Sequence, residues 1–90
     1  MTIHVDVTED DILDGQRGSS NFCPVALALN RALNVESAAV GGRFITFWKG
    51  YHFYHHRIPN ELTEWVKNFD AANPVDPFTM ELVIGDGYTW

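Results

Sequence analysis

The sequence predicts an α+β domain: an antiparallel or mixed sheet of four to five strands, two main helices and one short helix, in the order β-α-α-β-β-β-α-β. Three observations lead there. Apolar residues alternate near both ends of the chain, at Ile3, Val5 and Val7 and again at Phe78, Met80, Leu82 and Ile84. That is the period of a half-buried strand. A dense aromatic stretch, Phe44 to Tyr54, is interrupted at Lys49-Gly50, as a tight hairpin would be. Two further segments, 24–33 and 60–69, carry apolar residues at helical spacing. Ninety residues are read as a single domain, 1–90, with room for one small core.

Each element has a local reason. The first strand alternates Ile3, Val5 and Val7 with His4, Asp6 and Thr8. Thr8 then caps a short helix, the acids of its first turn, Glu9, Asp10 and Asp11, complement its positive end, and Gly15 supplies a left-handed stop. Gln16 to Phe22 is a loop, and Cys23-Pro24 opens the second helix, where proline's missing N–H costs nothing. Val25, Ala26, Leu27, Ala28, Leu29, Ala32 and Leu33 leave only Asn30, Arg31 and Asn34 to look outward, so this helix is central.

Val35 to Val40 reads as an edge strand that turns at Gly41-Gly42. Arg43–Trp48 and Tyr51–Ile58 are the hairpin strands, joined at Lys49-Gly50. The third helix starts at Pro59 or Asn60, buries the stripe Leu62, Trp65, Val66 and Phe69, and ends before Pro74. The last strand breaks at Gly85-Asp86-Gly87, and Tyr88-Thr89-Trp90 closes the chain.

The net charge is −6, with six Lys and Arg against twelve Asp and Glu. Such a chain is repelled by phosphate backbones, which argues against nucleic acid as partner. Arg43, Lys49 and Arg57 fall in the hairpin region, enough to hold one small anionic ligand. There is no long apolar run for a membrane span and no signal-peptide pattern at the start. One cysteine excludes an internal disulfide and fits a reducing cytoplasm, so the expected localisation is cytoplasmic.

The hairpin holds half of the aromatic residues and three of the four histidines. With Lys49-Gly50 as the turn, alternation separates two faces. One carries Phe44, Thr46, Trp48, Tyr51, Phe53 and His55, and its larger apolar groups make it the expected core face. The other carries Arg43, Ile45, Phe47, His52, Tyr54 and His56. Aromatics and arginine are enriched in interface hot spots. Arg43, Phe47, His52, Tyr54 and His56 are therefore the expected binding residues, unless a loop or the Tyr88–Trp90 segment covers them. A slip of one residue would exchange the faces.

Other groups suggest chemistry less strongly. Cys23 at a helix start has the setting that lowers a thiol pKa, and a downstream histidine could serve as base. Its order resembles that of cysteine hydrolases, without their extended signature. The plainer reading is a buried small apolar residue. His52 and His56 share a strand side, but roughly 13 Å of strand separates them, too far for one zinc. No metal and no cofactor are expected. The acids at 9–14 read as a solvated helix start. Gly15-Gln16-Arg17-Gly18-Ser19-Ser20 lacks the spacing of a phosphate loop.

Asp11-Ile12-Leu13-Asp14-Gly15 followed by Cys23-Pro24-Val25-Ala26-Leu27-Ala28 resembles a class of short uncharacterised proteins from bacteriophages and their bacterial hosts. The resemblance covers about the first third of the chain. It implies a phage or mobile-element context and no known activity. The chain is read as a small acidic binding protein rather than an enzyme: a protein–protein interaction module such as a phage-encoded inhibitor of a host or defence protein, with a homodimer through the same strands compatible. The alternative is a binder or sponge for a nucleotide-like signal. The third is a minimal cysteine hydrolase using Cys23.

Overall fold

The alternation at the two chain ends becomes a two-stranded antiparallel sheet in the computed structural model, which describes residues 2–85. Strand β1 (Thr2–Val7) pairs with β5 (Phe78–Val83) from Thr2 opposite Val83 to Val7 opposite Phe78. Side chains alternate across a strand, so Ile3, Val5 and Val7 all turn inward and are buried. On β5, Leu82 is buried, Phe78 and Met80 are packed against the core, and Ile84 is buried just beyond the strand.

Helix α1 (Glu9–Asp14) starts as Thr8 predicts. The Thr8 Oγ1 accepts from the Asp11 N–H at 3.2 Å, and the Asp11 carboxylate accepts from the Thr8 N–H at 2.9 Å. This reciprocal box satisfies two amides that the helix itself leaves free. Gly15 does not provide a left-handed stop, for it is extended, with φ −68° and ψ 152°. Its role is space. A β carbon there would stand 2.6 Å from the Pro24 ring and 2.8 Å from the Asp11 carbonyl oxygen. Glycine lets the end of α1 touch the start of the next helix.

That helix, α2 (Pro24–Leu33), has Cys23 as its N-cap and buries Pro24, Val25, Ala26, Ala28, Leu29 and Leu33. It is the central helix, and it packs on β1. Asn34 ends it in the left-handed region at φ 56°, a conformation asparagine tolerates. Asn30 is half-buried rather than outward, and its Oδ1 accepts from the Ala38 N–H at 2.9 Å.

That bond explains why the expected edge strand over 35–40 shrinks to β2 (Ala39–Val40). The Ser37 hydroxyl bonds both the N–H of Trp48, at 2.8 Å, and its carbonyl, at 3.2 Å. Side chains of Asn30 and Ser37 thus take backbone partners that a longer ladder would have used.

Strands β3 (Phe44–Lys49) and β4 (His52–Arg57) complete a second antiparallel sheet in the order β2-β3-β4. Among the described residues the five strands therefore fall into two sheets, of two and three strands, sharing one core. Helix α3 (Asn60–Asp70) buries Leu62 and Phe69 and half-buries Trp65 and Val66, the expected stripe. The Trp65 indole N–H donates to the Asp76 carbonyl at 3.0 Å and pins the loop leading into β5. The element order is the expected one, and among the described residues no helix is long and apolar enough to cross a membrane. The Gly85–Gly87 break, beyond Gly85, and the closing Tyr88–Trp90 segment lie outside the described residues.

Candidate binding surface

Geometry starts at the hairpin turn. Lys49 pairs with His52, so Gly50 and Tyr51 are the turn residues rather than Lys49 and Gly50. Gly50 has φ +63°, which the first position of such a turn requires and glycine adopts freely. Every cross-strand pair shifts by two: Phe44 faces Arg57, Ile45 faces His56, Thr46 faces His55, Phe47 faces Tyr54 and Trp48 faces Phe53. A shift of two keeps the parity, so each strand residue stays with the face-mates alternation assigns it.

Which face is inside is the reverse of the expectation. Ile45 and Phe47 are fully buried, and Tyr54 stacks on Phe47 with ring centroids 4.7 Å apart and planes within 10°. Phe47 belongs to the core and the half-buried Tyr54 packs against it on the inward side. Of the other expected binding residues, Arg43 and His52 are exposed and His56 is half-buried. They lie at the ends of the inward face. Ile45 is the available signal for this outcome. It is the one aliphatic residue in the two strands, and isoleucine is far more often fully buried than tryptophan or histidine.

The outward face carries Phe44, Trp48, Phe53 and His55, with Thr46 half-buried between them. Phe44 stacks on His55 with centroids 4.3 Å apart, and Trp48 tilts against Phe53 at 5.0 Å. Phe44 is 38% exposed, Trp48 49%, and Tyr51 at the turn 94%. The surface is held rigidly because the same strands bury Ile45 and Phe47 on their other side. Among the described residues no strand pairs with the outer edge of β4.

Lys49, an expected anion contact, is committed elsewhere. Its Nζ donates to the Leu33 carbonyl at 2.7 Å and neutralises the negative end of α2. The acidic helix start is only partly the solvated patch expected of it. Glu9, Asp10 and Asp14 are exposed, but Asp11 is buried. Arg31 grips it with two bonds, Nη1 to Oδ1 at 3.0 Å and Nη2 to Oδ2 at 2.7 Å, and also donates to the Asp6 carbonyl at 2.7 Å. Burial alone would raise the Asp11 pKa. The Arg31 and Thr8 hydrogen bonds and the Arg31 charge outweigh it and hold the carboxyl below its ordinary value. Neither arginine spacing nor helix period announces this pair, which joins residues twenty apart in sequence.

Cys23 is 2% exposed. Desolvation raises its pKa, Asp70 adds to the rise, and the amides of Val25 and Ala26 offset only part of it. A reactive cysteine needs the opposite setting, accessible and electropositive. Here the thiol serves as a small core residue at the loop-to-helix junction. Among the described residues no three His, Cys, Asp or Glu side chains gather as metal ligands would. Against known proteins, the chain matches no family model, no curated protein and no solved structure.

Proposed function

We propose that this chain is a binding protein whose contact surface is the outward face of the β3–β4 hairpin, and that its partner is another protein. The observation that carries the reading is the exposure of Phe44, Trp48 and Tyr51 together on one rigid hairpin. Clustered exposed aromatics mark interaction sites, and tryptophan and tyrosine dominate interface energetics. A net charge of −6 favours a basic surface on the partner. The narrower form of the reading, a phage-encoded inhibitor of a host or defence protein, rests on the resemblance of residues 11–28 alone.

The test is the double substitution Trp48→Ser with Tyr51→Ser. Affinity capture from a bacterial lysate, read by mass spectrometry, and light scattering for self-association should show that wild type retains a protein or a second copy and the variant neither. The variant's Tm should stay within about 4 °C, because surface changes cost little. Unchanged capture, or a collapse of the Tm, would overturn the reading.

A further inference from the structure

A second concave site lies between α3 and the Arg43 and Arg57 end of the β3–β4 hairpin. It is a cleft of about 370 Å³ lined by Arg43, Arg57, Asn60, Thr63, Glu64 and Lys67. Three of the chain's six lysines and arginines converge there, in a chain of net charge −6. The fold brings them together from three places. Arg43 sits in the β2–β3 turn, because the Gly41 N–H closes on the Phe44 carbonyl at 2.7 Å and leaves Gly42 and Arg43 at the tip. The Arg43 carbonyl accepts from the Ile58 N–H at 2.9 Å, which fixes it beside the end of β4, where Arg57 lies. Lys67 comes from α3.

Two features point to a ligand rather than to chance. Among the described residues neither Arg43 nor Arg57 has a side-chain hydrogen bond or ion pair, unlike Arg31 and Lys49, which both have buried structural partners. Lys67 has only a loose partner, Glu64 at 3.7 Å, with both side chains about two-thirds exposed, a pair of little worth in water. In addition, the eleven-residue α3 begins at this cleft with Pro59 as its N-cap, and no side chain caps its first amides. Uncapped amides at a helix start attract anions, and the helix dipole adds to the attraction.

We infer that this cleft binds the phosphate group of a small phosphorylated molecule. Arg43 and Arg57 supply planar, forked donors suited to phosphate oxygens. Lys67 adds a point charge, and Asn60 and the first α3 amides add neutral donors. The volume falls near the lower end of small-ligand sites. The cleft adjoins the outward aromatic face at the Phe44–Arg57 pair but is lined by none of its aromatic residues, so its test is distinct from that of the protein-binding reading.

The experiment is an amide-resolved NMR titration of the whole chain with inorganic phosphate, pyrophosphate and chloride at low salt. Pyrophosphate should bind most tightly and shift the Asn60 and Glu61 amides. Arg43→Gln and Arg57→Gln should each weaken it by about tenfold or more, as loss of a charge-assisted contact would. Both side chains are exposed, so each variant should melt as wild type does without ligand. Arg17→Gln, which removes a cation that does not line the cleft and lies over the Phe69 ring instead, should bind as wild type. Three results would overturn the inference: no amide shift at about 10 mM pyrophosphate, chloride matching pyrophosphate, or Arg17→Gln weakening binding as much as Arg57→Gln.

Discussion

Asp11 is the residue whose chemistry most affects this fold. It caps α1 through Thr8, and Arg31 ties it to α2 and to the end of β1. Asp11→Asn keeps the shape but loses the charge that Arg31 faces. The expected cost is about 1.5–3 kcal/mol at pH 7, the range for hydrogen bonds to charged groups, read from urea unfolding. The pH dependence follows from the lowered pKa. In the folded chain the carboxyl holds its charge to lower pH than in the unfolded chain. Its contribution is therefore complete above the unfolded value of about 4 and is lost as pH falls through the lower folded value. The stability gap between wild type and Asp11→Asn should shrink when unfolding is measured at about pH 2. An equal gap at both pH values would show that Asp11 acts by shape alone.

At the scale of the element, two glycines end segments for different reasons, and substitution separates them. Gly15 is extended and has no room, with the Pro24 ring 2.6 Å from where a β carbon would stand. Gly50 has open space but φ +63°, a conformation other residues avoid. Gly15→Ala must push α1 and α2 apart, at a cost of about 1–3 kcal/mol as in other overpacked sites. Gly50→Ala should cost about 1 kcal/mol from backbone strain. Gly50→Asn should recover part of that, because asparagine tolerates positive φ, whereas Gly15→Asn should be worse than Gly15→Ala. Urea midpoints of the four variants check the pattern, and a rescue of Gly15 by asparagine would contradict it. The same scale explains the shortened β2. Propensity at Val35–Val40 suggests a strand, but Asn30 and Ser37 offer competing partners to the backbone. Such side-chain partners become available only after the helix and hairpin have come together.

For the whole molecule the decisive contrast is between Phe47 and its neighbour Trp48. Phe47 is fully buried among core residues from both sheets, while Trp48 is 49% exposed on the opposite side of the same strand. Phe47→Ala should cost about 3–5 kcal/mol, the range for emptying a buried aromatic site. A chain of this size has only about 5–13 kcal/mol in total, so the variant should be partly unfolded at modest urea concentrations. Trp48→Ala should cost under about 1 kcal/mol. Equal costs in urea unfolding would mean that both faces are covered, and would remove the basis for a contact surface.

The element order, the helix starts at Thr8 and Cys23-Pro24, the apolar stripe of α3 and the partition of the hairpin into two faces are all legible in the residues alone. These are consequences of capping chemistry and of periods of 2 and 3.6 residues, which act between near neighbours. Which hairpin face is core, that the strands form two sheets, that Arg31 grips Asp11 and that Arg43, Arg57 and Lys67 share one cleft emerge only from the folded chain. Both hairpin faces are aromatic enough to be buried. The choice between them depends on how Ile45 and Phe47 fill the core they share with Val25, Leu29 and Leu62, and close packing of that kind is a property of the assembled core rather than of any local pattern.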